Sequence, residues 1–175
     1  MKNRILSVIL WLLSVIVCYL LQVNFVRIVP IASVSPNFML IAVFTVGFLR
    51  GKSWGMATGV LCGLIMDAFS GRVFGFYVLI FTYIGYFSGC FSRMLAQDVI
   101  LLPMIFTFCA EVVYSLYVYT FTVLLYGKTD FLEYLKTMVI PETILTTLCS
   151  FFVYGVMMTV NRHLTPTEQA DYRKG

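Results

Sequence analysis

Long apolar runs separated by short polar connections constrain this chain more than any other feature of its sequence. Of its 175 residues, 61% are hydrophobic and only 11% are charged, whereas a soluble domain carries about 25% charged residues. A chain with so few polar side chains cannot cover its own surface in water, but lipid solvates apolar helix faces directly. The composition therefore predicts an integral membrane protein with no room for a separate soluble domain.

The apolar runs predict about six transmembrane helices, because each spanning helix needs about 20 mostly apolar residues. Ser35 is expected to cap the second helix and Pro36 to occupy its first position. The chain is expected to form a single polytopic membrane domain that ends in a cytoplasmic tail. The expected helices cover residues 5–26, 36–49, 54–69, 74–91, 99–126 and 140–160, and the tail covers residues 161–175.

The positions of Lys and Arg predict the orientation of these helices. If the N-terminus lies inside, the inner segments carry eight of the twelve basic residues and the outer segments carry four. The positive-inside rule therefore places both termini in the cytoplasm. The basic residues are scattered at the ends of apolar runs, which is typical of topology signals, so nucleic acid is not expected as a partner.

The connection before the last helix, residues 127–139, leaves two interpretations open. Asp130 and Glu133 have the spacing of a capping box, and the apolar residues around them would share one face of a short helix lying in the membrane interface. An irregular loop fits the same residues equally well. Glu142 is expected at the N-terminus of the last helix, where unpaired backbone N–H groups favour a carboxylate.

Small residues recur at every fourth position through the third helix. On a helix, four residues advance about 400°, so the row winds slowly and forms a groove without large side chains. Such surfaces let helices approach closely in lipid, either within the chain or between this chain and a partner. The fourth helix carries a shorter version of the same pattern. The row consists of Gly51, Gly55, Gly59, Gly63, Asp67, Gly71 and Gly75, and the shorter version of Gly85 and Gly89.

Two carboxylates lie within the apolar runs. Asp67 lies one turn beyond Gly63 near the outer end of the third helix, and a lipid-facing position would cost about 2.5–3.5 kcal/mol at the membrane centre. It is therefore expected to face the bundle or water, either as a helix-end acceptor paired with Arg72 or a hydroxyl, or as a contact for a partner or solute. Glu111 lies mid-run with Tyr114 and Ser115 on its face, and is expected to be buried in a structural or functional role.

Sequence signals for catalysis and metal binding are absent. The five cysteines lie within apolar runs without a C-x-x-C spacing, and the one histidine, His163, has no neighbouring acid–base pair. Neither G-x-S-x-G nor H-E-x-x-H occurs. We therefore expect no enzymatic activity, no cofactor and no metal site.

The most specific residues lie between Pro36 and Gly89. Pro36-Asn37 precedes an apolar helix, which Arg50-Gly51 follows, and the glycine-rich helix ends in Gly63-Leu64-Ile65-Met66-Asp67. Next come Gly71 and Gly75, and then Gly85-Tyr86 and Gly89 in the following helix. In these motifs, and in its length and helix count, the chain resembles the MreD family of rod-shape-determining membrane proteins. The second half agrees only in hydropathy.

The resemblance implies a component of the bacterial inner membrane that belongs to the rod, or elongation, complex. Such proteins bind MreC and work with MreB, RodA and a class B penicillin-binding transpeptidase. They scaffold or regulate lateral peptidoglycan synthesis, and so cell shape, without being synthases. Their fold is similar to the substrate-binding subunits of energy-coupling-factor vitamin transporters. The candidate partner-binding or structural residues are Asn37, Arg50, Gly55, Gly59, Gly63, Asp67, Gly75 and Glu111.

Two transport functions remain as alternatives. The substrate-binding subunits of vitamin transporters have an A-x-x-x-A-type docking surface in their first helix, whereas residues 5–26 contain neither Ala nor Gly. That difference argues against the transporter. A proton-coupled carrier using Glu111 would need a continuous polar pathway through the membrane, and the sequence shows only isolated acids.

Overall fold

The computed structural model describes residues 2–28, 34–70, 74–92, 101–126 and 131–164, which are helical apart from short turns and contain no strand. This confirms the predicted all-helical fold. Helices suit a bilayer because they pair their backbone N–H and C=O groups internally. The elements are α1 (Lys2–Ile28), α2 (Phe38–Arg50), α3 (Lys52–Ser70), α4 (Phe76–Phe91), α5 (Leu101–Tyr126), α6 (Phe131–Tyr134), a π-helical turn (Leu135–Val139) and α7 (Ile140–Leu164).

Within the described ranges, three helical stretches are long and apolar enough to cross a membrane: Val8–Phe25, Pro103–Phe121 and Phe131–Thr159. They bury only a minor part of their residues inside the bundle, so most of their surface is free to face lipid. Helices α2 and α4 are apolar but shorter; the 13 residues of α2 rise only about 20 Å. The structure thus describes a helical membrane protein, and the number of six spans stays a prediction.

Helix α2 forms the centre of the bundle. Every residue from Phe38 to Phe48 is buried, and the helix contacts α1, α3, α4, α5 and α7. Its sequence explains this position, because a helix that is apolar on all sides has no face suited to water and is stable only when it is enclosed.

The N-terminus of α2 is held by side chains from two other helices. Asn37 is the N-cap, with its Oδ1 accepting from the Leu40 N–H at 3.1 Å. The predicted cap at Ser35 is therefore wrong, and the helix begins at Phe38 instead of Pro36. Gln22 of α1 accepts from the Met39 N–H at 3.1 Å, and the Thr146 hydroxyl of α7 accepts from the Asn37 N–H at 3.0 Å. These bonds satisfy N–H groups that a buried helix start would otherwise leave unpaired.

Helix α6, the π-helical turn and α7 form one continuous helical stretch. Within the turn, the Ile140 N–H donates to the carbonyl of Leu135, five residues earlier. Pro141 explains this widening, because its ring clashes with the carbonyl four residues back in a regular helix. Of the connection at 127–139, the described part is thus helical, and residues 127–130 lie outside the described residues. Glu142 lies in the first turn of α7, as predicted, although the helical stretch continues through the π-helical turn before it.

Candidate functional site

The glycine row of α3 packs directly against α4. A Cβ atom at Gly59 would overlap the backbone carbonyl of Phe81, and one at Gly63 would overlap the backbone of Val78. Gly55 and Gly85 face each other across the same contact. A Cβ atom at either glycine would overlap the backbone carbonyl of the other. The groove formed by the small residues of α3 is therefore filled by the next helix of the same chain, as the intramolecular interpretation requires.

The ends of the glycine row have a different role. Gly51 lies between α2 and α3 with a φ of 89°, and Gly75 precedes α4 with a φ of 96°. A Cβ atom at either position would meet nothing within 4 Å. These two glycines are thus required by the direction of the backbone, since side-chain-bearing residues rarely adopt a positive φ. Gly71 lies outside the described residues.

This difference predicts a purely conformational effect at Gly75. We expect Gly75→Ala to lower the free energy of unfolding by about 1–2 kcal/mol, the cost of a left-handed backbone for an ordinary residue. Gly75→Asn should cost less, because Asn tolerates this conformation. Unfolding in mixed micelles of native and denaturing detergent measures both variants. An Ala protein as stable as the wild type would contradict the assignment.

Asp67 caps α4 from the end of α3. Its carboxylate, only 4% exposed, accepts from three backbone N–H groups: Gly75 at 2.9 Å, Tyr77 at 2.9 Å and Val78 at 3.2 Å. The N-cap residue of α4 is Gly75, which has no side chain to serve its own helix. Asp67 supplies that missing acceptor. It is thus the predicted helix-end acceptor, and Arg72, its predicted partner, lies outside the described residues.

Arg50 lies at the end of α2, where the helix dipole favours a positive charge. Its guanidinium lies 5.2 Å from the ring centroid of Trp54. Trp54 in turn meets Trp11 of α1 edge to face at 5.6 Å, and the indole N–H of Trp11 donates to the Thr58 hydroxyl at 2.9 Å. Arg50 therefore belongs to a contact that joins α1, α2 and α3. The sequence interpretation did not identify Trp11 or Thr58.

A cluster of buried polar groups lies where the N-terminus of α2 meets α5 and α7. Glu111 is 0% exposed, as its sequence position predicts. Both oxygens of its carboxylate lack a hydrogen-bond partner, and so do Asn37 Nδ2, Ser115 Oγ and Thr143 Oγ1, all of them buried within the described part of the chain. Glu111 interacts electrostatically with the Asn37 amide and with Glu142. We call the buried residues Asn37, Glu111, Ser115 and Thr143, together with the half-buried Glu142, the polar cluster.

A hydrogen bond at the start of α2 fixes the direction of the Asn37 side chain. Its Oδ1 is occupied by the Leu40 N–H, so Nδ2 remains as a donor beside Glu111. Thr146 holds the Asn37 backbone, and Thr143 lies one turn earlier on the same face of α7. The sequence predicted that Glu111, Tyr114 and Ser115 share a face. It did not predict that Asn37 and Glu142 lie near Glu111, because these residues come from distant parts of the chain.

Among the described residues, no three His, Cys, Asp or Glu side chains come together as a metal-binding group. The five cysteines form no disulfide; they are Cys18, Cys62, Cys90, Cys109 and Cys149. The candidate residues thus form an α3–α4 frame (Gly55, Gly59, Gly63, Asp67 and Gly75), an aromatic contact at Arg50, and the polar cluster with Asn37 and Glu111.

Comparison with known proteins points to one membrane family. A family model described as rod shape-determining protein MreD matches residues 2–164, which is the full extent from the start of α1 to the end of α7. No curated protein and no solved structure matches the chain. The similarity to the substrate-binding subunits of vitamin transporters therefore stays a prediction.

Proposed function

Since the chain belongs to the MreD family, which acts in rod-shape determination, we propose that it is a non-enzymatic scaffold and regulator of the bacterial rod complex. In this proposal it binds MreC and supports lateral peptidoglycan synthesis together with MreB, RodA and a class B penicillin-binding transpeptidase. It lies in the inner membrane with both termini in the cytoplasm. The family is a shape-determining membrane family and not a known enzyme family.

The family match over residues 2–164 carries this proposal. The packing of α3 against α4 adds a restriction on how a partner binds. Because α4 already fills the glycine groove of α3, the transmembrane helix of MreC docks on another face of the bundle. Gly55, Gly59, Gly63, Asp67 and Gly75 then serve recognition indirectly, by holding the shape of the α3–α4 frame.

Depletion of the protein in its bacterial host tests the proposed function. We expect rod-shaped cells to become round as the protein is lost, because lateral wall synthesis loses its scaffold, and to recover when the wild-type chain is expressed again. Cell width and length by phase-contrast microscopy measure the effect, and immunoblots confirm the depletion. Rods that keep their shape while vitamin uptake fails would favour the transporter instead.

Co-purification tests the proposed partner separately from cell shape. Tagged MreC should recover the chain from detergent extracts, and an unrelated membrane protein with the same tag should not. Loss of cell shape without recovery of MreC would retain the rod-complex role and contradict the proposed contact.

A further inference from the structure

We propose that the polar cluster binds a small monovalent cation between α2, α5 and α7. This proposal goes beyond the scaffold function and does not depend on which partner the protein binds. It rests on three features of the structure: a buried carboxyl group whose oxygens have no hydrogen-bond partner in the described chain, the occupation of the nearby N–H donors, and the chemistry of the oxygens that remain.

The first feature is an uncompensated acid in the centre of a membrane protein. Glu111 is fully buried, and neither of its oxygens has a hydrogen-bond partner within the described ranges. Glu142 adds a second carboxyl group beside it. Burying a carboxylate is costly unless a charge or hydrogen bonds compensate it. The basic side chains that the structure describes have other positions: Arg50 lies over Trp54, Lys52 lies over Tyr86, and Lys136 is exposed.

The second feature is that the start of α2 does not neutralise Glu111. A helix N-terminus can stabilise a carboxylate through free N–H groups. Here the Asn37, Met39 and Leu40 N–H groups donate to Thr146, Gln22 and the Asn37 side chain. Among the described residues of this helix start, Asn37 Nδ2 is the donor that interacts with Glu111. It can serve one carboxylate oxygen and leaves the other to a further group.

The third feature is the kind of atom that the cluster offers. Ser115 Oγ and Thr143 Oγ1 are buried without a partner in the described chain. Ser115 lies one turn after Glu111 on the same face of α5, and Thr143 lies one turn before Thr146, whose hydroxyl accepts from the Asn37 N–H. These are hard oxygen ligands, which suit alkali cations and not the soft transition metals. Two carboxyl groups and two hydroxyls reach the number of oxygens that calcium takes, about 6–8, only if every carboxylate oxygen binds. A single positive charge matches the fully buried carboxyl group of Glu111.

Thermal unfolding of the purified full-length chain in nanodiscs tests the site. Sodium chloride, potassium chloride, methylammonium chloride and choline chloride are compared at equal ionic strength, with choline as the cation too large to enter. We expect the midpoint to rise by about 3–5 °C for each tenfold increase in the binding cation above its Kd. A rise with sodium or potassium identifies a metal ion, and a rise confined to methylammonium identifies an organic ammonium group. The same midpoint in all four salts would overturn the proposal.

Two variants separate binding at the cluster from a general salt effect. Glu111→Gln keeps the size of the side chain but removes its charge, and it should abolish the response to the cation whatever its own midpoint. Glu133→Gln makes the same change at an exposed acid on α6 and should keep the full response. If Glu111→Gln responds like the wild type, the cation binds elsewhere and the proposal fails.

Should Glu111→Gln not yield folded protein, direct binding of radioactive sodium to the wild type replaces the comparison. The Ser115→Ala, Thr143→Val double variant keeps both carboxyl groups and removes the two hydroxyls. We expect it to weaken sodium binding at least tenfold. Unchanged binding would show that the hydroxyls are not ligands and would overturn the assigned site.

Discussion

Gly59→Ala is expected to destabilise the protein by about 1–3 kcal/mol, and Gly59→Leu by more. The added Cβ would overlap the backbone carbonyl of Phe81 on α4. A side chain can move to another rotamer, but a helix backbone cannot step aside locally, so α3 and α4 must separate along their contact. Unfolding in mixed micelles measures the loss. Gly63→Ala, which meets the backbone of Val78, should behave in the same way.

Gly155→Ala is the matched control, because Gly155 lies on α7 and a Cβ atom there would meet nothing within 4 Å. Inside a helix, Ala is favoured over Gly by up to about 1 kcal/mol, so this variant should be as stable as the wild type or more stable. Equal losses at Gly59 and Gly155 would show that an added methyl group destabilises the bundle wherever it is placed, and would contradict the role of the close contact between α3 and α4.

Asp67→Ala is expected to lower the free energy of unfolding by at least about 2 kcal/mol, since each buried N–H group left unpaired costs about 1–3 kcal/mol. The carboxylate accepts from the N–H groups of Gly75, Tyr77 and Val78, and Ala accepts from none. Faster hydrogen exchange at the first turn of α4, with little change in α7, would locate the effect. This measurement distinguishes a lost cap from general loosening of the bundle.

Asp67→Asn is the conservative comparison for this position. It keeps the shape of the side chain and one acceptor oxygen, so we expect a loss smaller than that of Asp67→Ala. If Asp67→Asn and Asp67→Ala lower the free energy of unfolding equally, the cap depends on the negative charge of Asp67 and not on the number of acceptor oxygens. If neither has an effect, Asp67 does not cap α4 in the membrane-embedded protein.

The substitutions at Gly59, Gly63 and Asp67 all act on the α3–α4 frame, which is a structural part of the bundle and not an open docking surface. A small-residue groove on a membrane helix is a common docking surface, and in this chain it is already occupied. Loss of MreC binding in a Gly59 variant would therefore report a distorted frame and not a blocked contact. The outer faces of α1, α5 and α7, which carry most of the exposed apolar residues, remain for lipid and for partners.

The sequence by itself determined the class of the protein. The scarcity of charge excludes a water-soluble fold, the lengths of the apolar runs require helices, and a carboxylate in mid-run, Glu111, has to be buried. These inferences succeed because each depends on the cost of transferring a residue from water to lipid, which is a property of the residue and its immediate neighbours. The motifs from Pro36 to Gly89 also sufficed to identify the family.

The tertiary structure alone decided which groups meet. The repeat of glycines shows that α3 has a surface for close packing, but only the fold shows that α4 occupies it. Ser35 and Asn37 are both good caps by residue type, and Asn37 is selected because Thr146 holds its backbone while its side chain reaches Leu40. Glu111 meets Asn37 and Glu142 through the packing of three separate helices. Such pairings depend on the free energy of the whole bundle, which no local pattern of residues contains.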